Sequence, residues 1–222
     1  RTPLLQGTST AGSLTFTDTK PSTIVEVYYA DYFTFGATWT IDGVAQTDIP
    51  CLDTGTTKKV TVSGLTSAAH TVVITPKTGA DSTHPFYVAG TSFLNAAGIA
   101  VHNLGLGAAT TADMLTFGPI GYGQLGQWSE ITIARKIAPK LVTIEAGAND
   151  SALTSYVSAI QAAATQLATD GADTLLVGEP PAGNNRVNRQ TIPLLYGLAD
   201  SADLPLVDLH DVLTSWEYME AR

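Results

Sequence analysis

The 222 residues carry 44% hydrophobic and only 14% charged side chains, which is ample for packed cores and unlike a disordered chain. The net charge of −9 comes without a basic cluster, so a phosphate backbone would be repelled and no nucleic-acid partner is expected. Cys51 is the only cysteine, which excludes an internal disulfide or a thiolate metal cage, and no apolar run approaches the roughly 18 residues of a membrane-spanning helix.

In chain order, the first half reads as strands. Ser13–Phe16, Ile24–Tyr29, Thr38–Ile41, Lys59–Val62 and Thr71–Ile74 alternate apolar and polar residues and are rich in β-branched and aromatic types. Asp42-Gly43 directly after one run predicts a tight hairpin, because Gly accepts the positive φ of a primed turn. Many short strands at this spacing imply an all-β sandwich of jelly-roll type. Pro85 disfavours helix before it and suits a linker, and the organisation expected is a sandwich over 1–90 and an α/β domain over 91–222.

After about residue 97 the period changes. Gly98–Asn103, Leu141–Ala146, Thr174–Val177 and Leu204–Asp208 read as buried strands, and His102 would lie inside the first. Leu153, Val157, Ile160, Ala164 and Leu167 recur at helical spacing, and Ser129–Ala138 predicts a further helix closed by Pro139. Strands alternating with helices imply a parallel sheet, whose chemistry gathers on loops at the carboxyl ends of the strands.

One such loop is Gly147-Ala148-Asn149-Asp150, which follows the Leu141–Ala146 strand directly. Another is Asn103-Leu104-Gly105-Leu106-Gly107-Ala108-Ala109-Thr110-Thr111, after the strand before it. The first resembles the Gly-x-Asn-Asp block of SGNH (GDSL-type) ester hydrolases, and the second resembles that family's Asn-x-Gly-Ile-Ser-Gly-x-Thr-Thr block. Thr174–Pro181 is similar to the family's next strand and loop, so the resemblance covers about 125 residues. It implies a flavodoxin-like, three-layer α/β/α hydrolase domain beside the sandwich. Trp39–Gly43, Val62–Leu65 and His70–Val72 in turn resemble β-sandwich modules found beside SGNH domains in carbohydrate esterases and phage tail proteins.

The resemblance assigns the oxyanion hole to the Asn149 amide and the Ala108 N–H, with Gly107 where the family has serine. Acyl transfer builds negative charge on a carbonyl oxygen, and a fixed donor aimed there lowers the barrier by about 3–4 kcal/mol. Asp150 is expected to cap the following helix. The nucleophile is missing: no Gly-Asp-Ser occurs, and Gly7-Thr8-Ser9 and Gly90-Thr91-Ser92 are its nearest imitations. Ser92 is too close to the next strand for a parallel crossover, and Ser9 follows no buried run. The family's Asp-x-x-His block is likewise absent; Asp208-Leu209-His210 is one residue short, which makes His210 a poor base. Both ends read as cuts, with the serine block expected before Arg1 and the base after Arg222, so this chain alone is expected to be inactive.

Two functions follow. One is a serine esterase on acylated glycan or cell-wall polymer, extracellular or associated with a virion and other tail proteins. The other is a non-catalytic tail or receptor-binding protein, whose aromatics Trp39, Tyr28, Tyr29 and Tyr32 either stack on sugars or form sandwich core. No cofactor is expected: Gly105-Leu106-Gly107 lacks the third glycine of a dinucleotide loop, and no ligand set at metal-binding spacing is evident.

Overall fold

The computed structural model describes residues 5–7, 12–31, 34–80, 86–102, 104, 110–116, 130–145, 150, 153–178 and 186–209. The fold is mixed α/β and rich in sheet, and it divides into two compact units, 1–104 and 105–222.

The first unit is built from β1 (Leu5–Gly7), β2 (Leu14–Thr17), β3 (Ser22–Asp31), β4 (Ala37–Ile41), β5 (Val44–Ala45), β6 (Thr56–Ala68), β7 (Thr71–Pro76) and β8 (Phe86–Leu94). These make two four-stranded antiparallel sheets, ordered β1-β8-β3-β6 and β2-β7-β4-β5. Alternate residues of both sheets share one core: Val25, Val27 and Tyr29 of β3 and Phe86 and Val88 of β8 cluster with Trp39, Ile41, Val72 and Ile74. The period-two pattern thus has its cause in burial of one face of each strand. The Asp42-Gly43 hairpin forms as expected, with φ of 52° and 80° and Ile41 in register with Val44. Tyr28, Tyr29 and Trp39 are buried at 4%, 2% and 4% exposure, which removes them from any sugar-stacking surface; Tyr32 lies outside the described residues.

One strand expectation fails. Gly98–His102 is irregular, and Ile99 and Val101 are 95% and 89% exposed. Among the described residues no strand runs beside it to take its N–H and C=O groups, so apolar alternation alone does not make it a strand. His102 is accordingly not a sheet residue, and Asn103 and the expected boundary at His84-Pro85 fall outside the described residues.

The second unit contains α1 (Thr111–Thr116), α2 (Glu130–Ile137), β9 (Leu141–Glu145), α3 (Leu153–Thr169), β10 (Asp173–Gly178), α4 (Arg186–Ala202) and β11 (Leu206–Asp208). Its three strands form a parallel sheet ordered β11-β10-β9. On α3, Tyr156, Ile160, Ala163, Ala164 and Leu167 are buried at helical spacing. The helix ends at Gly171, whose φ of 80° lets the Ala172 N–H reach back to the Leu167 carbonyl. Ala138, at φ 56° before Pro139, closes α2 in the same left-handed way. The sequence offered no reading of α4, since Pro193 and Gly197 lie inside it. It forms because Thr191, Leu195 and Leu198 are buried on one face, against α3, β10 and β11.

Candidate functional site

The parallel sheet ends along one line: Glu145 is in register with Val177, and Gly178 with Asp208. Each strand therefore delivers its following loop to the same edge. Gly178 lies close to its neighbours there, since a Cβ would stand 2.9 Å from Ile192 Cδ1 and 3.2 Å from Asp208 Oδ1. Asp208 in turn accepts a hydrogen bond from the Tyr196 hydroxyl at 3.0 Å.

Beyond the β9 tip the decisive residue is Asp150, buried at 3% exposure. Its carboxylate caps α1; the residues between it and α3, at 151 and 152, lie outside the described residues. The Thr111 N–H donates to both of its oxygens at 3.1 Å, and the Thr111 hydroxyl donates to Oδ1 at 2.6 Å. Thr111 is itself fully buried. One residue earlier, the N–H and hydroxyl of Thr110 both donate to Asp113 Oδ2, at 2.7 and 2.8 Å, which is the acidic half of a capping box. The chain after β9 and the chain entering α1 are therefore joined by a buried carboxylate 39 residues away in sequence.

Asn149, Ala108, Gly107, His210 and Ser9 lie outside the described residues. Ser92 lies within β8, in register with Glu26, rather than at the tip of a parallel strand. Its hydroxyl hydrogen-bonds Tyr28, whose own hydroxyl donates to Glu26; burial and that carboxylate hold the phenol well above its ordinary pKa. Among the described residues no three His, Cys, Asp or Glu side chains are grouped to hold a metal ion, and no helix is long and apolar enough to cross a membrane.

His70 lies just before β7 and is itself buried, and it pairs with the exposed carboxylate of Asp42. Its Nδ1 is 2.6 Å from Asp42 Oδ2, and its Nε2 is 3.1 Å from the Ser22 carbonyl and 3.0 Å from that of Thr66. The hydrogen bond to Asp42 raises the imidazole pKa, burial opposes it, and the carbonyls add to the rise. An Asp-His pair invites comparison with a catalytic dyad, but both nitrogens face acceptors, an arrangement that favours the doubly protonated ring and turns Nε2 to backbone carbonyls rather than to a serine hydroxyl. Its role is structural. The Asp42-Gly43 turn signal is local and gave no hint that the Asp42 carboxylate reaches across the sheet.

No family model matches the chain, and no curated protein does. Among solved structures, it is similar to a Bacillus subtilis protein, at TM-score 0.47 and 16% identity over 93% of this chain and 70% of that one. It is also similar to a family two carbohydrate esterase from Clostridium thermocellum, solved with cellohexaose, at TM-score 0.33 and 14% identity over 91% and 83% of the two chains. A salicylyl-acyltransferase from a tetracycline biosynthetic pathway gives TM-score 0.35 and 11% identity over 94% and 73%. With every TM-score below 0.5, these likenesses say nothing of which residues of this chain do chemistry.

Proposed function

We propose that the chain carries the oxyanion-hole part of an SGNH-type serine ester hydrolase that acts on acylated carbohydrate outside the cell. One observation carries the reading: the Thr111–Asp150 tie holds together the two segments that bear the family-like blocks. Asn149 is one peptide bond from Asp150, and Ala108 is three residues from Thr111. The tie thus supports a common site for the Asn149 amide and the Ala108 N–H, both aimed at one developing oxyanion. The parallel order β11-β10-β9 supports a flavodoxin-like, three-layer hydrolase domain, and the orders β1-β8-β3-β6 and β2-β7-β4-β5 support a jelly-roll sandwich before it. No observation supports the phage-tail setting. Of the aromatics behind the glycan-binding alternative, Tyr28, Tyr29 and Trp39 are in the core, and Tyr32 lies outside the described residues.

The test is hydrolysis of a short-chain p-nitrophenyl ester and of an acetylated polysaccharide by the full-length protein. Asn149→Ala is expected to lower kcat by about 10²–10³-fold, the usual loss of one oxyanion donor. A folded full-length protein that releases neither nitrophenol nor acetate ends the hydrolase reading.

A further inference from the structure

We infer that Thr111 and Asp150 are positioning residues for the oxyanion hole, an inference that rests on the hydrolase reading above. Neither residue would touch substrate. Among the described residues the buried Asp150 carboxylate takes three hydrogen bonds from Thr111, two from the N–H and one from the hydroxyl. A buried carboxylate is costly unless its hydrogen bonds are well made, and an interior of low dielectric strengthens those that are. The arrangement therefore has a narrow geometric tolerance.

That tolerance is passed on through short covalent paths. A single peptide unit joins Asn149 to Asp150, about 3.8 Å between Cα atoms, and Ala108 precedes Thr111 by three positions, a reach of at most about 11 Å. Thr110 is fixed independently, since its N–H and hydroxyl are both taken by Asp113. The junction entering α1 is thus locked at two successive residues by two different carboxylates. A cap from within α1's own neighbourhood would satisfy the same N–H; what singles this one out is that the segments it joins bear the two family-like blocks, and catalysis falls steeply with small displacements.

The experiment is steady-state kinetics of the full-length protein on a p-nitrophenyl ester. Thr111→Val keeps the shape and the N–H but removes the 2.6 Å hydroxyl bond. It is expected to lower kcat about tenfold with KM within twofold, and Thr111→Ser is expected to restore most of it. Asp150→Asn, which turns an NH2 group toward a donor, is expected to lower kcat further. In an Asn149→Ala background, Thr111→Val is expected to have almost no added effect, because the group it aligns is gone. A merely structural role would give additive losses and a change in Tm without the split between kcat and KM. If wild-type protein turns over and Asn149→Ala slows it, yet Thr111→Val keeps its kcat within twofold, the positioning inference is overturned and the hydrolase reading stands. If wild-type protein is folded and inactive, the hydrolase reading fails and takes this inference with it.

Discussion

His70→Leu is expected to destabilise the strand-rich unit by about 3 kcal/mol at pH 5 and by about 1 kcal/mol at pH 9. Leu has similar volume but no donor, so the Ser22 and Thr66 carbonyls lose the Nε2 hydrogen they share. Leaving a buried acceptor unmet costs about 1–3 kcal/mol. The Asp42 contact adds at most about 1 kcal/mol, because that carboxylate is 47% exposed and water screens it. The pH dependence follows from the direction of the shift. His70 has a raised pKa in the folded state, so its stabilisation is fully present below the unfolded value of about 6.5 and is lost as pH rises through the folded value. Once neutral, the ring has one N–H for two sides and must either face the Asp42 carboxylate with a lone pair or abandon the carbonyls. Asp42 behaves oppositely: the bonds from His70 and the Thr71 N–H lower its pKa, so its share is present above about 3.8 and is lost as pH falls through the folded value. The assay is urea unfolding of wild type and variant at both pH values. Fluorescence of Trp39, buried and hydrogen-bonded to the Thr47 carbonyl at 2.8 Å, reports the transition in a background with Trp128 and Trp216 changed to Phe. A difference between wild type and variant that is equal at pH 5 and pH 9 would refute the double-donor assignment.

Two further outcomes are expected of the cores. Cys51 is buried, with its thiol donating to the Ala30 carbonyl at 3.6 Å, and burial together with the nearby Asp31 pushes its pKa up to about 12. Ellman's reagent at pH 8 should therefore leave it unmodified in the native protein and label it fully in denaturant; rapid native labelling would contradict the burial. Leu167, fully buried on α3, should cost about 2–5 kcal/mol when changed to Ala, read as a lower urea midpoint for the second unit by far-ultraviolet circular dichroism.

Local pattern determined much of the fold. Period-two runs produced β2, β3, β4, β6 and β7, the Asp42-Gly43 pair produced its hairpin, and helical spacing from Leu153 to Leu167 produced α3. In these elements the residues that decide the structure are within a turn or a few strand positions of one another. Gly98–His102 shows the limit: its apolar residues suggested a strand, but a strand also needs a partner, which sequence neighbours do not supply. In α4, for which no element was expected, packing of Leu195 and Leu198 carries the helix through Pro193 and Gly197.

For the candidate site, sequence supplied the blocks around Asn149 and Ala108 through their likeness to a family, and nothing about what joins them. Only the tertiary structure decided that Asp150 grips Thr111 across 39 residues, and that Asp42 meets His70 across 28. A carboxylate's partner is chosen by which donors the fold brings within about 3 Å in a buried place, and that choice depends on the whole chain path rather than on adjacent residues.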